Sequence, residues 1–453
     1  MEQVTVGEIR RWVDGCWLGD PADEVVPSGI STDSRKLKHG QAFLALRGPN
    51  FDGNQFVKQA FDRGACLAIV DVDGVDSSFN DGPVLRVSNT LETLGLIAKQ
   101  YRKRFNLPVI AITGSAGKTT TKEMVAAVLG RKLTVLKSPN SENNEIGVPC
   151  TLLQLSEEFD AVVIELAAKR VGDIRYLCEI TQPTIGVLLN IGKAHLEFFG
   201  NVEGVAKAKG ELLDYIGDES SLALVNVDDC VVVKETKRTK GRLLGFGLDC
   251  ESHYSGEGLV LDQEGCGHFL LLSHPIDLKI PGRHNAYDAL AAAAVGRIVD
   301  VPWEGIQRAL GEFEPVSMRA EIVRKNEIVV INDCYNANPD SMSAALELLG
   351  EVPGKRKVAI LGDMLELGLQ SGDFHAAIGA EAAARADLLL ATGSECKQLV
   401  VAARSAGMDE ARHFERADQL GAYAAAHLES GDVALVKASR GMALDRIVDR
   451  ILQ

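Results

Sequence analysis

Hydrophobic residues in the middle of this chain form short runs that are separated by stretches with helical spacing. Such short runs are typical of strands buried in a parallel sheet. Four of them occur here: VIAIT (109–113), AVVIEL (161–166), TIGVLLN (184–190) and LALVN (222–226). After VIAIT, the apolar residues from Met124 to Leu129 lie on one helical face, and Gly130 is a suitable helix end. The pattern predicts helices packed on a parallel sheet.

The same alternation occurs on both sides of this region. Near the N-terminus, strand-like AFLAL (42–46) and CLAIVDV (66–72) enclose a helical stretch, and a further helix is expected from Thr90 to Phe105. From Pro315 onward, four apolar runs alternate with Ala-rich helical stretches: IVVIN (328–332), KVAIL (357–361), DLLLA (387–391) and DVALV (432–436). This alternation favours a doubly wound sheet.

We therefore predict an α/β protein of three domains. A small N-terminal α/β module covers residues 1–86, and a central domain with a parallel sheet of the phosphate-loop type covers residues 87–314. A C-terminal Rossmann-like domain covers residues 315–453. The chain length of 453 residues agrees with about three domains of ordinary size.

Composition narrows the class of protein. Hydrophobic residues make up 46% and charged residues 25% of the chain, which predicts a packed soluble protein. The net charge of -15 argues against a nucleic-acid partner. No apolar run is long enough to insert into a membrane, and the first residues lack an apolar signal core, so we expect a cytoplasmic protein. The nine scattered cysteines fit a reducing compartment better than a disulfide framework or a zinc site.

The segment ITGSAGKTTTKE (112–123) joins the strand VIAIT to the next helix. The usual phosphate loop has four residues between its two glycines, whereas this one has only Ser115 and Ala116. Backbone N–H groups can still approach phosphate oxygens, and the helix N-terminus adds positive potential. Lys118 can reach a terminal phosphate, and the Thr119 hydroxyl can bind Mg²⁺. The predicted nucleotide-binding residues are Gly114, Ser115, Ala116, Gly117, Lys118, Thr119 and Thr120; a tight turn with a solvated lysine is the alternative.

A phosphate loop alone is compatible with a kinase, a GTPase or a motor protein. A GTPase would also carry a guanine-reading N-K-x-D motif, which the sequence lacks. Glu165 closes the strand AVVIEL and His195 follows the strand TIGVLLN, so both are expected at the carboxyl edge of the sheet, beside the phosphate loop. Together they can hold a metal ion, although a lone histidine is more often structural.

Several separate motifs resemble those of the Mur ligases of peptidoglycan synthesis. The shortened loop TGSAGKTT has the form that this family uses, and SPNSENNEIGVP (138–149) is similar to its N-x-N-N-E-I-G loop. INDCYNANPDSM (331–342), LGDMLELG (361–368) with His375, and the N-terminal STDSRKL and FLALRGPNFDGNQF are also similar to family motifs. The resemblance covers nearly the whole chain.

The Y-N-A-N-P stretch resembles the family member that adds D-alanyl-D-alanine to UDP-N-acetylmuramoyl-tripeptide. The resemblance implies an ADP-forming amide ligase that uses ATP and Mg²⁺, with two ions, and makes an acyl phosphate. Its implied role lies in peptidoglycan precursor synthesis, and thus in cell-wall biogenesis, cell shape and division. The implied partners are those two substrates, and a monomer is expected.

The resemblance also implies roles for individual residues. Thr119 and Glu165 are expected to bind one Mg²⁺ and His195 a second, completed by Lys209 after carbamylation by CO₂. That reaction needs a neutral amine, so Lys209 is expected in a place that favours it. Its neighbour Lys207 is expected on a solvated helix face. The predicted catalytic set consists of Lys118, Glu165, His195 and Lys209.

Further residues are expected to contact the ligands. Asn285 is expected at adenine, and Arg319 and Asp333 at phosphate and ribose, with domain closure around ATP. The remaining substrate-binding residues are Ser31, Thr32, Asp33, Ser34, Arg35, Asp52, Asn140, Asn143, Asn144, Tyr335, Asn336 and Asn338. For Ser31 or Asp33 a helix N-cap is the alternative, and for Asn336 and Asn338 an Asn-Pro turn and helix cap.

Three stretches depart from the family pattern. IELAAKRVGDI replaces a more usual E-L-G-A-x-x-x-G-E-I, Ala438 stands where a glycine is common, and Asp288 stands where a second asparagine is common. Two other functions stay open. One is a Mur-type ligase with a different amino-acid acceptor, and the other is a non-catalytic nucleotide-binding module. The sequence leaves the third residue of the peptide substrate undecided between diaminopimelate and lysine.

Overall fold

A computed structural model describes residues 1, 3–19, 22–218 and 220–452 of the chain. The N-terminal part contains strands β1 (Cys16–Leu18), β2 (Ile30–Ser31), β3 (Ala42–Leu44), β4 (Arg47–Gly48), β5 (Phe51–Asp52), β6 (Leu67–Asp71) and β7 (Val84–Val87). Its helices are α1 (Val6–Val13), α2 (Val57–Asp62) and α3 (Thr90–Arg102). Five of these strands form a sheet in the order β1-β7-β6-β3-β2, in which only β1 runs antiparallel to its neighbour. The predicted N-terminal α/β module is therefore present.

The middle of the chain supplies the longest sheet. Its strands are β8 (Val109–Thr113), β9 (Val135–Lys137), β10 (Ala161–Glu165), β11 (Ile185–Leu188), β12 (Leu222–Asn226), β13 (Arg242–Gly247), β14 (Tyr254–Leu261), β15 (Cys266–Leu271) and β16 (His274–Pro281). The helices are α4 (Lys118–Leu129), α5 (Gly147–Leu152), α6 (Asp173–Thr181), α7 (Leu196–Phe199), α8 (Val202–Lys209), α9 (Glu211–Tyr215), α10 (Cys230–Glu235), α11 (Arg283–Ile298) and α12 (Trp303–Gly311).

The strand order of this sheet is β16-β15-β14-β13-β12-β11-β8-β10-β9. All four predicted strands of the region are present as β8, β10, β11 and β12, and each is fully buried. The sequence pattern missed β13 to β16, of which β14, β15 and β16 pair antiparallel. These strands alternate exposed and buried residues, because one face is covered and the other meets water.

The C-terminal part forms a third sheet with the order β17-β18-β22-β19-β20-β21. Its elements are β17 (Glu321–Lys325), β18 (Ile328–Asp333), α13 (Pro339–Glu351), β19 (Arg356–Gly362), α14 (Ser371–Arg385), β20 (Leu388–Thr392), α15 (Cys396–Ser405), β21 (Ala411–Phe414), α16 (Ala417–His427), β22 (Asp432–Lys437) and α17 (Asp445–Ile451). Two separate hydrophobic clusters cover its two faces, as the predicted doubly wound arrangement requires.

Helix α11 is unusual because it is buried nearly all round. Ala289 and the four alanines 291–294 have no exposed surface, and the site of a side chain on Gly296 would lie 2.5 Å from Val128 of α4. These small residues let α11 approach α4 closely. The helix that follows the phosphate loop is thereby fixed from a second direction.

The chain divides into two compact units. The first comprises Met1–Ala111, Leu133–Ala167 and Asp173–Ile185, and the second comprises Ile112–Lys132, Ala168–Gly172 and Gly186–Gln453. The predicted boundary at residue 86 falls inside the first unit. Among the described residues, no helix is long and apolar enough to cross a membrane.

Candidate functional site

The phosphate loop lies where the sequence placed it, between β8 and α4. Gly117 has φ +80° and a side chain there would meet the Asp288 carboxylate at 2.5 Å, so only glycine fits the position. The Nζ of Lys118 donates to the carbonyl oxygen of Gly114 at 2.8 Å. This bond holds the lysine across the loop, in reach of a phosphate seated on the backbone N–H groups.

An asparagine that the sequence reasoning missed also holds this loop. Asn190 accepts from the backbone N–H of Ala116 at 2.8 Å and donates to the Ala116 carbonyl at 3.2 Å. Its own carbonyl accepts from the backbone N–H of Ser115 at 3.0 Å. The sequence signal that could have identified Asn190 is its position as a polar residue at the end of the predicted strand TIGVLLN.

Arg319 reaches the phosphate-loop helix from the C-terminal part of the chain. Its Nη2 donates to the Thr119 hydroxyl at 2.9 Å, and its guanidinium stacks on the Tyr335 ring at 3.9 Å. Thr120, the next residue of α4, is buried. Arg319 therefore contacts the first turn of α4, and the phosphate contact expected of it stays a prediction.

Asp288 lies under the same loop. It is 4% exposed and accepts from the Thr121 hydroxyl at 2.8 Å. Burial raises its pKa to about 7, against the opposing effects of the Thr121 hydrogen bond and the Arg319 charge. The position that departs from the family pattern thus carries a carboxyl group that is partly protonated near neutral pH.

The loop that carries His195 is held by side chains from elsewhere in the second unit. Asp229 accepts from the backbone N–H of Ile191 at 2.8 Å, and Ser115 accepts from that of Gly192 at 2.8 Å. Asp340, at the start of α13, accepts from the backbone N–H of Lys193 at 2.7 Å. His195 itself begins α7 with φ 55°.

The imidazole of His195 contacts a carboxylate that the sequence reasoning did not assign. Its Nδ1 lies 2.5 Å from Oε2 of Glu366. Burial lowers the pKa of His195, the bond to Glu366 opposes this shift, and the charges of Lys118 and Lys209 add to it. The net direction favours the neutral imidazole, which is the form that binds metals.

The two lysines of α8 differ as predicted. Lys207 is exposed, whereas Lys209 is 1% exposed at the end of the helix. The positive charges of Lys118 and Lys209 lower the pKa of His195. Lys118, His195 and Lys209 of the predicted catalytic set all belong to the second unit.

Glu165 belongs to the first unit, together with the asparagine loop. It is the last residue of β10, is 2% exposed, and its Oε1 accepts from Asn143 Nδ2 at 2.7 Å. The Asn144 side chain accepts from the backbone N–H of Gly147, the first residue of α5, at 3.0 Å. Asn140 is exposed and has φ 47°. The expected position of Glu165 beside the phosphate loop stays a prediction.

The N-terminal polar stretch forms a turn and not the helix N-cap that was the alternative, because no helix follows it. Asp33 accepts from the backbone N–H and the guanidinium of Arg35, both at 2.9 Å, which lowers its pKa to about 2. The Arg35 side chain is 81% exposed. Ser31 donates to the Asp33 carbonyl within the turn, and Ser34 donates to the Gln59 side chain. Thr32 in the turn and Asp52 outside it are both half-buried.

Among the remaining candidate residues, one asparagine has the helix-cap role that was the alternative to ligand binding. Asn338 caps α13 in a reciprocal capping box with Ser341. Asn336 is exposed. Asp333 accepts from the buried Lys437 at 2.6 Å. Asn285 is buried and donates to the Pro281 carbonyl at 2.6 Å. The ligand contacts expected of these residues stay predictions.

Three segments of the chain match family models. Residues 27–102 match "Mur ligase family, catalytic domain", residues 112–296 match "Mur ligase middle domain", and residues 318–440 match "Mur ligase, glutamate ligase domain". The matches follow the three sheets of the fold.

Curated relatives match over nearly the full length. A protein of Synechocystis sp. is 35% identical, covering 99% of this chain and 98% of its own length. One of Bacillus subtilis is 32% identical with the same coverage, and one of Escherichia coli is 35% identical over 100% and 99% of the two chains. All three are named UDP-N-acetylmuramoyl-tripeptide–D-alanyl-D-alanine ligase.

Solved structures agree. A crystal structure of MurF from Acinetobacter baumannii is similar with a TM-score of 0.92 and 30% identity, covering 100% of this chain and 99% of that one. MurF from Thermotoga maritima in complex with ADP has a TM-score of 0.82 and 28% identity, covering 93% and 96%.

Proposed function

Because the chain belongs to the Mur ligase family, we propose that it joins D-alanyl-D-alanine to UDP-N-acetylmuramoyl-tripeptide at the expense of ATP. The full-length relatives carry this proposal, since every one of those compared bears the name of that ligase. The relative from Thermotoga maritima was solved with ADP, which supports a nucleotide on the phosphate loop. Peptidoglycan precursor synthesis is then the process that this enzyme serves, and the cytoplasm, where ATP and UDP-linked precursors occur, is its place.

The reaction needs activation of a carboxylate, because oxide is a poor leaving group. A tripeptide carboxylate oxygen attacks the γ-phosphorus of ATP, the bond to the ADP oxygen breaks, and an acyl phosphate forms. Lys118 would exchange its bond to Gly114 for the terminal phosphate and balance the developing charge. The backbone N–H groups of the loop hold the phosphates in place.

In the second step the amine of D-alanyl-D-alanine attacks the acyl carbon. The tetrahedral intermediate collapses to an amide and inorganic phosphate, and the amine loses a proton. Arg319, which bonds to Thr119, would neutralise phosphate charge with its guanidinium group. Much of the protein's contribution is therefore positioning of reactants and electrostatic balance.

The residues available for Mg²⁺ suit a hard cation, because they offer a hydroxyl, a carboxylate and a neutral imidazole. We assign Thr119 and Glu165 to one ion and His195 to a second. The ions, when bound, neutralise phosphate charge. His195 keeps Nε2 for this purpose, since its Nδ1 is engaged by Glu366.

Lys209 is the proposed further anionic ligand after carbamylation. The neutral amine attacks the carbon of CO₂, a C–N bond forms, and one proton is released, so that a cation becomes a carboxylate. The burial of Lys209, at 1% exposure, favours the neutral amine over the charged form and supports this assignment.

The remaining assignments follow the family resemblance. Residues 1–86, 87–314 and 315–453 are the proposed UDP-sugar, ATP and acceptor domains of a monomer. The ligand contacts proposed are Ser31, Thr32, Asp33, Ser34, Arg35 and Asp52 for UDP, Asn140, Asn143 and Asn144 for the peptide substrate, Asn285 and Asp333 for the nucleoside, and Tyr335, Asn336 and Asn338 for the dipeptide.

The deciding experiment is phosphate release from ATP and Mg²⁺ in the presence of UDP-N-acetylmuramoyl-tripeptide, with and without D-alanyl-D-alanine. We expect release that requires the dipeptide and an amide product of matching mass. Both diaminopimelate-containing and lysine-containing tripeptides belong in the assay.

Two other results would change the assignment. Release with a single amino acid and not with the dipeptide would make the chain a Mur-type ligase with another acceptor. ATP binding without release, for every amine acceptor tried, would make it a nucleotide-binding module without ligase activity.

A further inference from the structure

Glu366 lies at a place where two parts of the second unit meet. Its loop follows β19 in the C-terminal sheet, while His195 follows β11 in the central sheet. We propose that Glu366 positions His195, with Asp340 as a second anchor, so that the Nε2 lone pair of the imidazole is directed at the metal. This inference rests on the proposed function, and neither carboxylate was among the residues expected from the sequence.

The contacts of Glu366 are numerous and specific. Its Oε2 lies 2.5 Å from His195 Nδ1, and its Oε1 accepts from Lys169 Nζ at 3.1 Å. The backbone carbonyl of Glu366 accepts from the N–H of Glu197, two residues after the histidine, at 3.0 Å. Side chain and backbone of one residue therefore both hold the His195 segment.

Backbone conformation marks both partners of this contact. His195 has φ 55° and Glu366 has φ 62°, a region that residues other than glycine adopt only at a cost in free energy. Such a conformation persists when the surroundings fix it, and it is enriched at functional sites. Here two residues in this conformation are joined through their side chains.

The Glu366 loop is itself anchored from behind. Ser439 accepts from the backbone N–H of Leu365 at 2.8 Å, and Nε2 of the fully buried His375 accepts from that of Met364 at 3.0 Å. His375 Nδ1 donates to the Ser371 carbonyl at 2.8 Å. Both ring nitrogens are thus used by the backbone.

The hydrogen bonds of His375 indicate a structural role for the buried cluster of Asp363, His375 and Cys396. Its ligand atoms lie within 4.8 Å of one another, as in a metal site. However, Asp363 accepts from the backbone N–H of Cys396 at 2.9 Å, and a metal would have to displace the bonds of His375. The cluster supports the loop that presents Glu366.

Asp340 acts on the same segment from α13. Its Oδ2 accepts from the Lys193 backbone N–H at 2.7 Å, and a side chain at residue 192 would come within 2.0 Å of that oxygen. Gly192 is therefore required for the contact. Two carboxylates from the region that matches the glutamate ligase domain hold one loop of the middle domain.

The chemical consequence concerns the tautomer of His195. A carboxylate beside Nδ1 accepts a hydrogen bond from the Nδ1–H group and so keeps the ring proton on Nδ1. In this tautomer Nε2 carries no proton and its lone pair is available. Carboxylate partners of this kind orient metal-binding histidines and commonly change metal affinity by about 10–100-fold when removed.

The first test reads the tautomer without metal or substrate. The ¹⁵N chemical shifts of the His195 ring would be measured in histidine-labelled full-length protein, with His195→Gln to assign the signal among the nine histidines. We expect the Nδ1–H form in the natural chain and in Glu197→Gln, the control on an exposed neighbouring glutamate. Glu366→Ala should give a mixture of tautomers, and Glu366→Gln should retain most of the Nδ1–H form through its amide oxygen.

The second test reads metal binding by Mn²⁺ electron paramagnetic resonance with ADP present. Glu366→Ala should weaken the affinity of the His195-dependent ion by about 10–100-fold, with Glu366→Gln intermediate and Glu197→Gln unchanged. An unchanged tautomer together with unchanged Mn²⁺ affinity in Glu366→Ala would overturn the proposal. Both readouts are independent of ligase turnover, so a failure of the proposed function would show separately, as absent dipeptide-dependent phosphate release.

Discussion

The phosphate loop and the His195 loop do related work but are built differently. The turn of the phosphate loop is made by its own residues, since Gly117 supplies the positive φ and Lys118 bonds to Gly114 four residues away, and Asn190 adds bonds to Ser115 and Ala116 from outside the loop. The His195 loop is held by Asp229, Asp340 and Glu366, which lie 38, 147 and 171 residues away in sequence from the residues that they contact.

This difference has a practical meaning. A loop defined by neighbouring residues can be recognised as a motif, and it should form whenever its strand and helix form. A loop defined by distant side chains requires the rest of the second unit to be assembled first. The two loops should therefore respond differently to substitution.

The largest expected effect belongs to the locally defined loop. Lys118→Ala removes the cation for the terminal phosphate, so we expect kcat to fall by about 10³-fold. Because Nδ1 of His195 contacts Glu366 and not Lys118, the His195 ¹⁵N shifts should still report the Nδ1–H tautomer. Lys132→Ala, at the end of the same helical region, is the control; steady-state phosphate release measures both. A changed His195 tautomer in Lys118→Ala would remove the distinction between the loops.

The second prediction compares Lys209 with Lys207. Lys209→Ala should lower kcat by about 10²-fold or more, because a metal ligand is lost, while ADP binding persists. Lys207→Ala should keep normal activity, since that side chain is exposed on the same helix. Partial rescue of Lys209→Ala by short carboxylates would support the proposed carbamylation of Lys209. Full activity of Lys209→Ala without added carboxylate would contradict it.

The third prediction concerns the distant anchoring of the His195 loop. Gly192→Ala introduces a methyl group against Asp340, and we expect about a 10-fold loss of kcat/KM, as for other supporting residues of metal sites. Asp340→Ala should cost a similar amount. If both act through the Asp340–Lys193 bond, the double variant should be no worse than either single one. Additive losses would show that the two residues act separately.

The smallest predicted effect is a pH dependence at the phosphate loop. Asp288 has its pKa raised to about 7 by burial, so its negative charge develops as pH rises through 7. ADP affinity should fall between pH 6 and pH 8 by a few-fold more in the natural chain than in Asp288→Asn, because the ionised carboxylate opposes the phosphates.

The raised pKa of Asp288 also predicts that the folded chain becomes less stable as pH rises. A carboxyl group with a raised pKa in the folded chain destabilises it progressively as pH rises from its ordinary value of 3.8 to about 7, with no further change above that. The fall of Tm over this interval should be smaller in Asp288→Asn than in the natural chain. Asp300→Asn, beyond the end of the same helix, is the control. Equal pH profiles in all three proteins would contradict the assignment.

The buried strands were predicted well because their apolar runs are continuous. The runs at 109–113 and 222–226 correspond to β8 and β12 with identical bounds. Strands β13 to β16 were missed, because exposed residues break up their apolar runs and Gly247, Gly256 and Gly267 interrupt the pattern. Local composition carries little signal for such strands.

The site residues could be proposed from the sequence where chemistry and sequence position coincide. Lys118 and Thr119 are adjacent in a recognisable loop, Lys209 was proposed through the family resemblance, and the roles of all three stay predictions. Glu366 and Asp340 were missed although both lie in stretches that resemble family motifs, LGDMLELG and INDCYNANPDSM, because a motif does not show which distant residue each carboxylate contacts. The contacts with His195 and with the backbone of Lys193 are visible only in the fold.

The alanine-rich surface of α11 has a consequence for how this chain can vary. The alanines 289 and 291–294 have no exposed surface, and a side chain at Gly296 would lie 2.5 Å from Val128 of α4, so larger side chains at these positions are expected to displace either α4 or α11. Because α4 begins at the phosphate loop and Asp288 lies one residue before these alanines, such a displacement would reach the nucleotide. A stretch that touches no substrate is therefore expected to accept few substitutions, and a deep mutational scan should find it as intolerant as the loop itself.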